Sequence, residues 1–258
     1  MNRIPATGDV GLSVDVLVST FNSAGDLEEC LRAARSLLPI HRLIVVDHHS
    51  TDATSAIASR WGAEVHEESV GLGYSRTLAL SLAETPWVLF LDSDVILRAP
   101  SFFEEASRLT RLPGVGAVVG MAMGHSFRYG LPLGLTLLPR EWAKAVEIPS
   151  DVNARETYFL QEALRRDRRH VAYVLDAMEH RSRYRGHKPE WEGANTRLVA
   201  GWSVYQLAYA FAVILLIHMN SRRPRNLAYT PVFYAKFLRG FLDPERWRVL
   251  DRRTEPPL

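Results

Sequence analysis

Hydrophobic and polar positions along the first half of the chain fall into two alternating periods. Val14–Ser19 is a short apolar run rich in β-branched residues and predicts a buried strand. Asn22 or Ser23 then stands where a helix would be capped. Leu27, Cys30, Leu31, Ala34 and Leu38 follow at three- and four-residue spacing, on one stripe. Leu43–Asp47 predicts a second strand. Ser50 or Thr51 caps a helix carrying Ala53, Ile57 and Trp61, and Glu64–His66 predicts a short third strand. Tyr74, Leu78 and Leu82 mark one face of a third helix. Trp87–Leu91 is continuous and apolar, as a central strand covered on both faces must be, and Val115–Val119 predicts a fifth strand.

Strands alternating with helices imply an α/β domain whose mostly parallel sheet is flanked by helices. Ligands of such sheets bind beyond the carboxyl ends of the strands. The polar residues standing there are Ser19–Asn22, Asp47–Ser50 and Asp92–Asp94. After about residue 125 the pattern changes. Residues 121–140 are rich in Gly and Leu and read as a loop. Asp151–Arg169 predicts a helix, Val171–Leu175 a strand, and Glu179–Lys188 a polar, Arg-rich segment. Two helical stretches follow, at about 190–220 and 226–241. The expected organisation is a ligand-binding half over 10–125, a second half of the same domain over 126–190, and C-terminal helices over 191–258.

Composition narrows the class. Hydrophobic residues at 47% and charged residues at 23% belong to a folded globular chain. The single cysteine, Cys30, excludes an intrachain disulfide and fits a reducing compartment. With 31 basic against 29 acidic residues the net charge is +2, less than a domain that wraps nucleic acid usually carries, so no nucleic-acid partner is expected. Met1–Gly11 has no apolar core and does not read as a signal peptide.

The chemistry concentrates at Phe90-Leu91-Asp92-Ser93-Asp94. Two carboxylates two residues apart, where an apolar strand runs into a turn, can both reach one solvated site. Mg²⁺ and Mn²⁺ prefer such oxygens, and an ion there can neutralise the charge on a departing nucleoside diphosphate. Alone, the pair could simply end a strand. Asp47 lies on the same rim, where it can accept an N–H of a pyrimidine or hydrogen-bond a ribose. Gly71-Leu72-Gly73 opens the third helix ahead of Arg76, so that a phosphate could approach the backbone amides. The segment lacks dinucleotide-fingerprint spacing and is not a P-loop. Ser50-Thr51-Asp52 reads as a helix cap only.

In combination, residues 14–98 resemble the donor half of family 2 glycosyltransferases, which have the GT-A fold. The matching pieces are VSTFN (18–22), IVVDHHSTDAT (44–54), GLGYSRTLAL (71–80) and WVLFLDSDVIL (87–97). The resemblance implies an inverting transferase that takes a nucleoside-diphosphate sugar with Mn²⁺ or Mg²⁺. It puts Thr20, Asn22 and Asp47 around base and ribose and Arg76 near the nucleotide or its diphosphate. Asp92 and Asp94 become the Asp-x-Asp pair, with Asp92 also on the donor side and Asp94 the more direct metal ligand. His180 could be a third ligand, or be structural. One of Arg181, Arg183 and Arg185 could hold the diphosphate. The family's base, often in a Glu-Asp pair, is matched nearest by Glu156-Thr157, with Asp151 as rival; Glu156 could equally be a solvated first-turn residue. Departures stand at His48, Thr77 and Thr157, where the family usually carries an acid, Asn and an acid.

Leu198–Ser221 carries no charged side chain when His218 is neutral, and 229–242 mixes Phe, Leu and Tyr with Lys236 and Arg239. These helices could pack as core, lie on a membrane surface or span it; some 20 apolar residues suffice to span. The expectation is therefore a cytoplasmic enzyme, free or peripheral on the inner face of the membrane, that glycosylates a glycan or polyprenyl-linked acceptor. A polyprenyl-phosphate glycosyltransferase is the nearest variant. A nucleotidyltransferase and a catalytically silent nucleotide-sugar-binding scaffold are the readings from other classes.

Overall fold

The computed structural model describes residues 13–124, 130–152, 154–181, 188–220 and 225–248. In chain order the elements are β1 (Val14–Thr20), α1 (Ala24–Leu37), β2 (Ile40–Asp47), α2 (Thr54–Arg60), β3 (Glu64–Glu67), α3 (Leu72–Leu82), β4 (Trp87–Leu91) and β5 (Val95–Leu97). Then come α4 (Phe102–Thr110), β6 (Val115–Ala122), β7 (Leu135–Pro139), α5 (Arg140–Lys144), α6 (Thr157–Arg166) and β8 (His170–His180). The C-terminal helices are α7 (Lys188–Ala200), α8 (Val204–Asn220), α9 (Arg225–Ala228), α10 (Thr230–Leu242) and α11 (Pro244–Trp247).

The chain forms two compact units. One comprises residues 1–152 and 159–182, the other 153–158 and 183–258. The first is built on a sheet ordered β3-β2-β1-β4-β7-β6-β8-β5. Strands β3, β2, β1 and β4 are mutually parallel, as their helical crossovers require. The remainder is mixed: β7 is antiparallel to both β4 and β6, β8 is parallel to β6, and β5 is antiparallel to β8.

Side chains alternate across β1 and β4, so each strand feeds two cores. Val14, Val16, Val18, Leu89 and Leu91 pack on Leu27, Cys30, Leu31 and Ala34 of α1. Leu17, Val88 and Phe90 pack on Ala79 and Leu80 of α3 and on Leu160, Ala163 and Leu164 of α6. Burying one such large apolar side chain contributes about 1.5–3 kcal/mol, which is why these runs are continuous in the sequence. Asp15 is the polar exception. Its buried carboxylate accepts the N–H groups of Glu84, Thr85 (3.0 Å) and Arg42 (3.2 Å) and pairs with His41 Nδ1 at 2.9 Å. Burial raises its pKa, and the backbone N–H bonds and His41 outweigh that, leaving it below the ordinary aspartate value.

Several expectations are corrected. The 121–140 region is not all loop: β7 inserts there between β4 and β6, and α5 follows. The helix predicted to open at Asp151 opens at Thr157, because 149–152 runs against the start of α3 instead. There the carbonyls of Ser150 and Val152 accept the N–H groups of Tyr74 (3.1 Å) and Gly73 (2.8 Å). A Cβ on Gly73 would lie 2.1 Å from the Pro149 carbonyl oxygen, so only glycine permits this approach. The buried face of α3 is Gly73, Ser75, Arg76, Ala79 and Leu80, while Tyr74 is exposed. The α2 helix is opened by Asp52, whose carboxylate takes the N–H and hydroxyl of Thr54, rather than by Ser50 or Thr51.

The second unit is helical. α7 and α10 approach until a Cβ on Gly193 would lie 1.9 Å from Phe237 O and one on Gly240 1.8 Å from Glu190 O. The cluster buried in this unit is small: Ala210, Phe237 and Phe241, with Leu207, Ile214 and Tyr234 against them. His218 Nδ1 lies 2.8 Å from Thr230 Oγ1, and burial pulls its pKa down. The single helix expected over about 190–220 is two, broken at Gly201, whose φ of +63 favours glycine. Among the described residues no helix is long and apolar enough to cross a membrane.

Candidate active site

The carboxyl ends of β1, β2 and β4 form one rim, and the polar residues expected there are on it. Asp47 ends β2 and is buried. Its Oδ1 accepts the hydroxyls of Thr20 and Ser50, both at 2.6 Å, and its Oδ2 accepts Ser50 N–H at 2.8 Å and the Ser55 hydroxyl at 3.3 Å. Asp47 thus fastens the end of β1 to the loop after β2. Asn22 continues the fastening. Its N–H donates to Ser50 Oγ at 2.8 Å, and its Oδ1 accepts Thr51 N–H at 2.9 Å. Asn22 and His49 both have positive φ (47 and 46), so the two rim loops turn sharply within a hydrogen-bonded frame.

Sequence reasoning missed two partners on this rim. His48 Nδ1 lies 2.7 Å from Glu68 Oε1, and the ring meets Phe21 edge-on, centroids 5.4 Å apart. Glu68 is buried and accepts Val70 N–H (2.7 Å) and Gly71 N–H (2.9 Å) on its other oxygen. The signal available was an acid, Glu68, three residues ahead of a glycine turn. The N–H groups of Gly71, Gly73 and Tyr74 therefore all donate within the protein, and the expectation that this turn offers amides to a phosphate is corrected.

Asp92 and Asp94 sit in the turn between β4 and β5. Arg76 is buried behind them: its Nη2 donates to Asp92 Oδ1 at 2.6 Å, and its guanidinium lies over the Phe90 ring, 5.2 Å from the centroid. The backbone of the turn is fixed on three sides. Asp92 N–H donates to Gly134 O at 3.0 Å, Ser93 Oγ meets Ser23 Oγ at 2.9 Å, and Asp94 O accepts Arg181 N–H at 2.9 Å. His180 arrives from the far end of β8, through the antiparallel pairing of Val95 with His180. Its Nε2 is 3.4 Å from Asp94 Oδ1, and both side chains are more than a third exposed. A bulge aims β8 at this corner: Asp176 has φ +51 and accepts Gly124 N–H at 2.8 Å, and beyond it the strand pairs with β5 from Met178 to His180 while Met178 also keeps its pairing with Ala122 of β6.

Arg181 is spent elsewhere. Its guanidinium pairs with Glu29 at 2.6 Å and Glu179 at 3.1 Å; it holds the Glu29 carboxyl below the usual range, and Arg98 first and Arg181 second do the same for Glu179. Arg183 and Arg185 lie outside the described residues. Asp151 is exposed in a turn of the first unit. Glu156 belongs to the second unit and is buried just ahead of α6, so it is not a solvated first-turn residue. The corner brings Asp92, Asp94, His180 and Arg76 together. Among the described residues, however, no three His, Cys, Asp or Glu side chains gather closely enough to hold a cation by themselves.

The mixed sheet with this rim has the architecture of a GT-A glycosyltransferase. Residues 15–131 match the model of the family described as Glycosyl transferase family 2. The enzyme is thus a glycosyltransferase. Solved structures carry the same fold over most of the chain. Glucosyl-3-phosphoglycerate synthase from Mycobacterium tuberculosis, in complex with Mn²⁺, uridine diphosphate and phosphoglyceric acid, is 22% identical, with a TM-score of 0.56. That match covers 67% of this chain and 72% of the synthase. The same synthase with Mn²⁺, UDP-glucose and glycerol 3-phosphate is 23% identical over 74% of this chain and 78% of its own, with a TM-score of 0.58. A further mycobacterial protein is 22% identical, TM-score 0.59, over 74% and 73%.

Proposed function

We propose that the protein transfers a sugar, with inversion, from a nucleoside-diphosphate sugar to a hydroxyl of a glycan or lipid-linked acceptor at the cytoplasmic face of the membrane. The observation that carries this reading is the Asp94–His180 pair, 3.4 Å apart, beside an Asp92 tethered by a buried arginine. A half-exposed carboxylate oxygen and an imidazole nitrogen suit Mn²⁺ or Mg²⁺. Asp94 and His180 would hold the ion, with Asp92 beside them, and donor phosphates would complete its shell. When bound, the ion would neutralise charge on the departing diphosphate. The similarity to a synthase crystallised with Mn²⁺ or Mg²⁺ and uridine diphosphate supports this chemistry.

The chain's own residues do the rest. Arg76 fixes the Asp92 carboxylate and places a permanent positive charge behind the diphosphate. Asp47, through Thr20 and Ser50, and Asn22, through Thr51, keep the nucleoside rim rigid. Glu156 is the proposed base for the acceptor hydroxyl, with Asp151 the rival.

A polyprenyl-phosphate acceptor is the second reading, and the C-terminal helices favour it. Trp202, Val204 and Tyr205 are all at least 66% exposed, and Phe211, Ile217, Met219, Tyr229 and Val232 are exposed with them. From Gly193 to Leu242 the sequence contains no acidic residue, while Arg197, Arg222, Arg223, Arg225, Lys236 and Arg239 are basic. An apolar, aromatic surface within an acid-free, basic segment suits the interface of an anionic bilayer.

Calorimetric titration of UDP-, GDP- and dTDP-sugars with and without Mn²⁺, followed by product analysis with glycan and polyprenyl-phosphate acceptors, tests the reading. Metal-dependent donor binding and sugar transfer are expected. Donor binding without hydrolysis or transfer would make the protein a binding subunit instead.

A further inference from the structure

The Asp94–His180 corner hangs on a short pairing at the margin of the sheet. β5 has three residues, is the edge strand and pairs with β8 alone. An arginine stands at each end of that ladder: Arg98 N–H donates to Ala177 O at 2.8 Å, and Arg181 N–H to Asp94 O at 2.9 Å. Their guanidiniums share the same two glutamates. Arg98 pairs with Glu179 and, at 3.3 Å, with Glu29 of α1, while Arg181 pairs with Glu179 at 3.1 Å and with Glu29 at 2.6 Å. The four side chains close a ring of alternating charge, with Asp26 and Arg32 at its margin, 3.9 Å from Arg181 and Glu29. An isolated exposed ion pair contributes little, but here every member of the ring has two partners.

We infer that this ring positions the cation corner: Glu29, Arg98, Glu179 and Arg181 fix the register and facing of the end of β8, so that His180 stands beside Asp94. The inference rests on the reading that Asp94 and His180 hold the ion. Successive residues of a strand point to opposite faces, so Glu179 and Arg181, both engaged in the ring, leave His180 on the other face. A slip of one residue would turn His180 towards the ring and away from Asp94. A three-residue ladder resists such a slip weakly by itself, and its outer edge has no further strand to hold it. Glu29 supplies the missing hold from α1, whose Leu27, Cys30 and Leu31 pack in one cluster with Val95, Ile96 and Leu97. The four residues are positioning residues, since none of them supplies an atom to the Asp94–His180 pair.

The test uses the wild type, Glu29→Gln, Arg98→Met and the double variant, with the tightest-binding of UDP, GDP and dTDP as probe. Calorimetry gives its affinity with and without Mn²⁺, and amide exchange is followed without ligand. Each single variant is expected to lose about three- to tenfold in affinity with Mn²⁺ present, the range of coupling within one ionic network, and to lose nothing without it. Exchange should quicken at Val95–Leu97 and Met178–His180. Because the ring acts as a unit, the double variant should lose no more than either single one. Equal losses with and without Mn²⁺, an unchanged Mn²⁺ effect in both single variants, or losses that multiply in the double variant would overturn the inference and leave the cation reading standing. A wild type whose nucleotide affinity ignores Mn²⁺ would overturn the cation reading itself, and the inference with it.

Discussion

The donor side of the sheet and the C-terminal helices are held together in opposite ways. Strands β1, β2 and β4 are buried on both faces by two large clusters, and their polar ends are cross-linked by Asp47, Asn22 and Glu68. The helices α7–α11 bury a small cluster, approach through two glycines and leave much of α8 apolar and exposed. A rim that must present fixed donors to a small ligand needs the first construction. The second leaves apolar surface outside, which is useful only where something other than water meets it.

The largest expected effect lies at the corner between β4 and β8. Asp94→Ala should lower transfer by about 10²–10³-fold and abolish Mn²⁺-dependent donor binding, the scale of losing one preorganised electrostatic partner. Its thermal unfolding should be almost unchanged, because the side chain is partly exposed. Initial rates and calorimetry check this; retained metal-dependent binding would move the cation site. Because the corner supplies few donors of its own, Mn²⁺ alone should leave the melting temperature unaltered and act only with nucleotide present.

Next comes Asp15, which braces the sheet at the opposite end from the rim. Asp15→Ala orphans buried N–H groups and should cost about 3 kcal/mol in urea unfolding. The same carboxylate gives the wild type a pH signature. Its pKa is depressed in the folded state, so its stabilisation is complete above the ordinary aspartate value of about 3.9 and is lost as pH falls through the lower folded value. Acid titrations of the wild type and Asp15→Asn should converge at low pH; parallel curves would refute the assignment.

Gly240→Ala should cost about 1–3 kcal/mol, by forcing apart two helix backbones that cannot yield. If the two constructions are as different as they look, amide exchange should quicken in α7 and α10 while donor affinity holds. The smallest effect is sought on the outer surface. Replacing Trp202 and Tyr205 together by Ser should weaken binding to phosphatidylserine vesicles several-fold, with transfer to a soluble acceptor unchanged. Sedimentation with vesicles reads it, and equal binding by the variant would deny α8 that role.

The same contrast governs what could be read from the sequence. Val14–Thr20 and Trp87–Leu91 announce themselves because a strand covered on both faces must be apolar throughout. Asp92, Asp94 and Asp47 were legible because they stand where such strands end. β7 was hidden by its Gly- and Pro-containing surroundings and by an antiparallel insertion that no local period signals. The contact of Arg76 with Asp92 was hidden too: the resemblance put Arg76 near the nucleotide or its diphosphate, and only the tertiary fold turns it inward onto Asp92. Glu68 and His48 are twenty residues apart and meet only because β3 pairs with β2. The break at Gly201 was missed because one glycine in an apolar stretch does not outweigh the helical signal on either side.

The antiparallel pairing of β5 with β8 has a consequence for how the enzyme is made. A ribosome delivers the two aspartates long before it delivers the histidine that meets one of them. Until β8 has emerged, bent at its bulge and docked, Asp94 lacks the imidazole that stands beside it in the finished fold.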